Sequence, residues 1–497
     1  MADRHLEIEQ KYDAEAEFEL PPLDDLPGVS QAAPPRVQEL HATYFDTADL
    51  RLASLGITLR RRRGGDDSGW HLKVPAGPDG KQEHRAPLGR PRVVPPRLAG
   101  LVAVHTRGAE LGPVAVLETR RTVVVLRDAE GAALAEVADD LVSAYREEGD
   151  EPRRWREIEV ELAGGGPDLL KAAGKRLRKA GARRAKSSSK LGRLLGGAVP
   201  AAPGATARAA TRARLRSLTS NGKLPTVTAG DAVLGYLAGQ LESLIDYDPR
   251  ARLGEEDAVH RMRVATRRLR STLQSYRPVL DRVRTEPLRA ELRWLAGVLG
   301  EVRDLEVLRM RFADGPRFFL DDLARRERGA YRRMNASLKE ARYFELLDAL
   351  DALIADPPLD ERAERKARKE LPLLVSRAWD RMATQYRSIG TADDPDFARH
   401  ETRKDAKRAR YAAELATPVL GAAAKRVAKD AKRIQEVLGE HQDAVVALEH
   451  LEAARRRART AQDAFALGVL YGREECRADT ARDRLAVTWS RTLGPSF

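Results

Sequence analysis

The spacing of apolar residues changes character once along this 497-residue chain, and that change decides what it can fold into. From Glu7 to about Leu195, apolar and polar residues alternate in eight short runs: LEIEQKY, ATYFDT, ITLRRRR, GWHLKV, QEHRAPL, VLETRRTVVVL, ALAEVADDLV and WREIEVEL. A period of two is that of a half-buried strand. Connections rich in Gly, Pro and Asp, such as RGGDDSG and PAGPDG, supply the turns. Eight strands with little helix predict one closed antiparallel barrel or tunnel, because closure removes every exposed edge. A single helix, LLKAAGKRLRKAGARR, is expected near the end of this half. From about Thr226 the spacing becomes three and four, which predicts an all-helical bundle with breaks near Asp248-Pro249, Asp356-Pro357-Pro358 and Asp394-Pro395. Residues 197–225, rich in Ala, Pro, Gly and Thr without a steady period, read as a linker with at most a short helical piece. The chain thus divides into 1–196, 197–225 and 226–497.

Charge alternates along the first segment as well. Glu7, Glu9 and Lys11 in EIEQK leave one strand face, and so do Glu157, Glu159 and Glu161 in WREIEVEL. Arg60 and Arg62 alternate in TLRRRR, Lys73 follows in WHLKV, and AEVADDLV offers Glu136 or Asp140. Taken alone, EIEQK fits a solvated edge strand. The full set does not, because a barrel of about eight strands fills its interior with side chains. Burying so many acids and bases together is very costly without a guest. A polyphosphate group with a divalent metal resolves the conflict. Lysine and arginine orient phosphate oxygens, and glutamates hold Mg2+ or Mn2+, which take oxygen ligands.

The helical segment repeats itself. HRMRVATRRLR from His260 and HETRKDAKRAR from His400 carry basic residues at matching offsets: His260, Arg263, Arg267, Arg268 and Arg270, then His400, Arg403, Lys407, Arg408 and Arg410. LGEVRD (299–304) and LGEHQD (438–443) follow at nearly the same separation, so two related helical halves are inferred. At about 100° per residue, His260, Arg263, Arg267 and Arg270 fall within an arc of about 80°. Met262, Leu269, Leu273 and Tyr276 then face the core, a role taken by Ala409, Ala413 and Ala416 in the second copy. A stripe of cations with few acids interleaved repels itself, and a long anion lying along it explains it best.

The balance of 88 Lys+Arg against 75 Asp+Glu, a net charge of +13, also points to an anionic partner. With aromatics at only 5% and no helix-turn-helix or zinc signature, nucleic acid is disfavoured. A lone cysteine, Cys476, excludes an intramolecular disulfide and fits a reducing cytoplasm. No apolar run has signal-peptide or membrane-spanning character, so a cytoplasmic protein without a membrane partner is expected.

EIEQK resembles the ExExK signature of the CYTH superfamily, the triphosphate tunnel metalloenzymes. LRRR, HLK, TRR, ADD, EIEVEL and SSSKLGR follow in that family's order over about residues 3–196. The resemblance implies an eight-stranded tunnel acting on triphosphates with a divalent cation. By position it implies Glu7, Glu9, Asp140, Glu157, Glu159 and Glu161 as metal ligands. Lys11, Arg60, Arg62, Lys73, Arg120 or Arg121, and Lys190 would hold the triphosphate, with Glu7, Glu9 and Lys11 central to catalysis. TRR carries Glu118 where many members place a base, which leaves open whether Arg120 or Arg121 faces inward. The helical segment resembles the CHAD domain, which implies inorganic polyphosphate bound by His260, Arg263, Arg267, Arg270, His400, Arg403, Lys407 and Arg410. The resulting expectation is a Mg2+- or Mn2+-dependent hydrolase of inorganic triphosphate or short polyphosphate, tethered to a polyphosphate-binding domain. The alternatives are a non-enzymatic protein of polyphosphate granules, or another triphosphate activity such as thiamine triphosphatase or adenylate cyclase.

Overall fold

The computed structural model describes residues 4–76, 80–146, 151–187, 189–220 and 226–497, apart from the side chains of residues 4–7 and of Pro203. Two compact units emerge, 1–202 and 203–497. None of the described helices is long and apolar enough to cross a membrane.

In the first unit the eight expected strands form β1 (Arg4–Ala14), β2 (Arg36–Asp46), β3 (Thr58–Arg63), β4 (Gly69–Pro75), β5 (Gly80–Ala86), β6 (Gly112–Arg127), β7 (Ala133–Arg146) and β8 (Arg153–Leu162). They pair in the order β1–β5–β4–β3–β2–β6–β7–β8, and β8 returns to β1, every pairing antiparallel. The sheet is therefore a closed ring, as the alternation predicts. Closure falls between β1 and β8, where Glu9 stands opposite Glu161 and Lys11 opposite Glu159.

Strand parity sends the charged set inward and the apolar set outward. Tyr12, Ile158 and Val160, which alternate with Lys11, Glu157, Glu159 and Glu161, pack outside the ring against Leu169, Leu170, Ala173 and Leu177. Those four belong to α2 (Pro167–Lys179), the helix expected here. Two helices lie outside the expectation. One is α1 (Pro96–Thr106), a Pro-initiated piece that buries Leu98, Leu101, Val102 and Val104. The other is α3 (Lys190–Leu195), whose N-cap Ser189 accepts a bond from the Gly192 N–H at 3.0 Å. Leu191, Leu194 and Leu195 of α3 pack on Tyr44, Ala115 and Leu117. Ala115 and Leu117 share the strand face of Arg121, so α3 closes one end of the lumen with an apolar plug. The same helix delivers Lys190 to the charged region.

The second unit is helical: α4 (Pro203–Ser220), α5 (Ala229–Arg252), α6 (Ala258–Ser275), α7 (Arg282–Arg311), α8 (Arg317–Ser337), α9 (Ala341–Ala355), α10 (Ala367–Arg387), α11 (Pro395–Leu420), α12 (Ala422–Arg455) and α13 (Ala461–Ser490). Most of the expected linker is α4. Leu215 lies against Gly235 of α5, and Arg208 and Arg212 pair with Asp351 and Glu242. Alanine and arginine favour helix without needing an obvious apolar period, so the segment was legible by propensity but not by pattern. Chain breaks fall after Ala355 and before Pro395, where Asp394 caps the N–H groups of Asp396 and Phe397 at 3.0 Å. By contrast, α5 runs through Pro249 to Arg252.

The repeat is physical. Its basic segments lie on α6 and α11, and its LGE segments on α7 and α12. Met262, Leu269, Leu273 and Tyr276 are buried, as are Ala409, Ala413 and Ala416. The two halves meet where Tyr276 donates to the Ala412 carbonyl at 2.8 Å.

Candidate functional site

The lumen is a cavity of about 450 Å³ whose wall includes Glu9, Lys11, Arg60, Arg62, Lys73, Lys81, Arg121, Glu159, Glu161 and Lys190. Three adjacent strands align Glu9, Glu161 and Glu136 in one register row. Glu9 meets Lys11 at 2.9 Å and Lys81 at 2.8 Å. Burial pushes its carboxyl up, but the Lys11 ammonium and then Lys81 outweigh that and hold it at about 2. Lys81 was missed in the sequence, although it alternates with Glu83 and Arg85 on β5 as lumen residues do. The side chain of Glu7, an expected metal ligand, lies outside the described residues.

Further along the same strands, Asp140, Glu157 and Glu159 bring carboxylate oxygens within 4.8 Å of one another, close enough to hold a metal ion. The Lys190 ammonium sits against all three, at 2.8, 2.7 and 2.7 Å. Arg121 adds a bidentate pair to Asp140 (2.8 and 2.7 Å) and one bond to Glu159 (2.7 Å), and Lys11 also pairs with Glu159. Desolvation opposes ionisation here and the ion pairs overcome it. Glu159 is held well below the usual carboxylate range, and Lys190 well above the usual ammonium one. Asp140 and Glu157 are buried beneath the lining, and Glu157 accepts from Trp155 Nε1 at 2.7 Å. Among the described residues, Lys190 is the cation that touches all three carboxylates.

The opposite wall is short of anions. Arg60 reaches Tyr44 Oη at 3.3 Å, and Arg62 pairs with Asp67 of the β3–β4 turn. The buried Nε atoms of Arg60 and Arg62 have no hydrogen-bond partner among the described residues. Burial, then Arg60 and Arg121, push the Arg62 guanidinium down to about 9. A guanidinium keeps its proton in proteins, so burial and the neighbouring Arg60 and Arg121 both disfavour a charge that Arg62 cannot shed. Lys73 lies 3.8 Å from Glu83, which also binds His71 at 2.8 Å.

Strand parity settles the TRR ambiguity. Arg121 points inward opposite Asp140, whereas Arg120 points outward, 63% exposed and 3.7 Å from Glu39. The expectation for Arg120 as a lumen residue is corrected accordingly. Deciding between the two requires the register with β7, which the sequence does not display.

In the helical unit, α6 and α11 form a basic seam. Arg263 pairs with Asp304 at 2.9 Å, and its counterpart Arg403 with Asp443 at 3.3 Å. The LGE glycines Gly300 and Gly439 lie beside these guanidiniums, where an added Cβ would stand 3.5 and 3.3 Å from them. Arg267 donates to Tyr411 Oη at 3.2 Å. Arg270 is pushed down by burial and then by Arg293, Arg408, Arg289 and Arg267. The histidines flank the seam: His400 contacts Gln442 at 2.7 Å, and burial followed by Arg303 pushes His260 down. The stripe is less bare of acids than expected. Asp304 and Asp443 come from the repeat's own LGE segments, and Glu414 takes Arg410 at 2.7 Å and Arg268 at 2.7 Å.

A closed eight-stranded ring with acids and bases packed into its lumen, followed by a duplicated helical unit with a basic seam, is the architecture of CYTH–CHAD proteins, and the chain belongs to that family. It matches the CYTH domain over residues 5–194 and the CHAD domain over residues 235–452. The CYTH superfamily consists of triphosphate-tunnel metalloenzymes. Two uncharacterized proteins of Mycobacterium tuberculosis, from the CDC 1551 and H37Rv strains, are each 37% identical over 520 residues, covering 97% of this chain and 95% of their own. Among solved structures, PptA from Streptomyces chartreusis is similar at 22% identity and a TM-score of 0.44, over 53% of this chain and all of that one. The CHAD domain from Ricinus communis is similar at 24% identity and a TM-score of 0.44, over 55% of this chain and 95% of that one.

Proposed function

We propose that this chain hydrolyses inorganic triphosphate or a short polyphosphate with a divalent metal, and that its helical unit binds inorganic polyphosphate. The supporting observation is the arginine wall of the lumen. Arg60, Arg62 and Arg121 repel one another, and the Nε donors of Arg60 and Arg62 have no acceptor among the described residues. Phosphate oxygens satisfy both deficits.

The facing acids suit a hard cation, because every donor is a carboxylate oxygen. Glu9 and Glu161 would hold Mg2+ or Mn2+ at the lining with Glu159 beside them, while Asp140 and Glu157 fix the cations around that group. Glu7 is carried in the same role by the ExExK match. The ion, when bound, supplies charge neutralisation at phosphate oxygens and lowers the pKa of water. Lys11, Lys73 and Lys190, with the arginines, orient the chain of phosphates and stabilise charge growing on the departing one. Tyr44, buried against Arg60, is the only aromatic residue in the described lining, so no face is offered for stacking a purine. That favours an inorganic substrate over ATP.

Phosphate release from tripolyphosphate, long polyphosphate, ATP and thiamine triphosphate, each with Mg2+ and Mn2+, tests the reading. Tripolyphosphate should be turned over fastest, and only with metal. Preference for ATP, or full activity in Glu9→Gln, would overturn it. Binding of long polyphosphate without phosphate release would favour the receptor reading, in which the protein acts at cytoplasmic polyphosphate granules.

A further inference from the structure

The arginine wall of the lumen carries an anion of its own. Arg62 is buried, and Asp67 is the one carboxylate paired with it among the described residues. Glu83, the other acid on this side, is buried and already bound to His71 and Arg85. Asp67 belongs to the β3–β4 turn, RGGDDSG, and its side chain is 33% exposed against 6% for that of Arg62.

The main chain of this turn is held on both sides. Gly64 and Gly65 take φ values of 83° and 72°, a region that favours glycine, and a Cβ on Gly64 would collide with the Glu39 carbonyl of β2. Ser68 Oγ donates to the Gly64 carbonyl at 3.2 Å. From within the wall, His71 Nε2 donates to the Asp67 carbonyl at 2.8 Å, a group that can only accept, while Nδ1 meets Glu83 at 2.8 Å. His71 is 1% exposed and stands opposite Arg60 in the register, so the peg that fixes the turn is buried beside the arginines. What remains free to move is the Asp67 carboxylate, by rotation of its own side chain.

Its contact with Arg62 is incomplete. Asp67 Oδ2 meets Nη2, and Nε has no partner among the described residues. A phosphate group can offer oxygens to both arms of the guanidinium fork.

We propose that Asp67 is a built-in competitor at Arg62, displaced by an arriving phosphate and restored when that phosphate leaves. This rests on the triphosphate reading above and adds a means of clearing product. The competition weakens every anion at Arg62 by the same factor. A chain of phosphates keeps its contacts with Arg60, Lys73 and Arg121, whereas a single orthophosphate at Arg62 has little else to hold it.

Calorimetric titration of the full chain with tripolyphosphate, without metal so that none is turned over, and separately with orthophosphate tests this. Asp67→Asn should tighten both by about fivefold, the upper end for a pair with one exposed partner. Asp67→Ala, which keeps the carbonyl that His71 holds, should repeat the gain, a result that misfolding does not produce. Asp66→Asn removes the same charge from the same turn and should change either affinity by less than about twofold. In an Arg62→Met background, Asp67→Asn should add nothing. No gain in either Asp67 variant, an equal gain in Asp66→Asn, or a gain that persists without Arg62 overturns the proposal and leaves the triphosphate reading intact. Absence of tripolyphosphate binding in every form overturns both.

Discussion

Replacing Lys190 by methionine tests whether the lumen is held together by charge balance. In the native ring, Asp140, Glu157 and Glu159 share Lys190, Arg121 and Lys11. Without Lys190, three buried acids face two cations. Leaving a buried charge uncompensated costs about 3–5 kcal/mol, which in a unit of this size lowers the melting midpoint by about 10 °C. The pH dependence should also change sign. In the native protein Asp140 and Glu159 are held below the usual carboxylate range, so their stabilisation is present above the unfolded value and lost as pH falls through the folded one. In Lys190→Met a triad carboxyl shifts upward, the folded state binds more protons, and stability falls as pH rises. Protonation offsets the defect near pH 5 and a divalent cation should offset it near pH 8, because the three carboxylates then form an all-oxygen site. Scanning calorimetry at both pH values, with and without Mg2+, reads this, with the helical unit's transition as internal reference. An unchanged midpoint, or a loss that deepens on acidification, would falsify the assignment of Lys190 as the triad's cation.

Arg120→Ala should leave triphosphate turnover within about twofold, whereas Arg121→Ala should cost about a hundredfold, as measured by steady-state phosphate release. Arg62→Met removes one of three mutually repelling cations. Its thermal midpoint should therefore rise in the absence of ligand while tripolyphosphate affinity weakens about tenfold; loss on both counts would mean the pair with Asp67 matters more. Arg263→Gln and Arg403→Gln should each lower the slope of log affinity against log salt for polyphosphate by about one, and an unchanged slope would place the polyanion elsewhere.

All eight strands and both signs of lumen charge were legible because alternation survives in the bare sequence. The partners were not. Lys11 and Glu159 are 148 residues apart in sequence, and only the β1–β8 closure brings them together. Arg120 and Arg121 are chemically equal and adjacent, so only strand register distinguishes inside from outside. In α4 a segment rich in Ala and Arg is a good intrinsic helix former, but it lacks the apolar period that would reveal it. The LGEVRD and LGEHQD segments were visible as markers of duplication, yet their aspartates reveal themselves as partners of Arg263 and Arg403 only once α7 and α12 pack beside the basic helices.

That first and last strands meet has a consequence during synthesis. A ribosome that has released EIEQK must still deliver the remainder of the unit before Glu9 finds Glu161. Until then the ionised side chains remain hydrated, and β1 has neither its closing neighbour nor the lysine carried by α3. The pocket is therefore assembled late, when the eighth strand docks on the first and α3 behind it brings Lys190 to the acids.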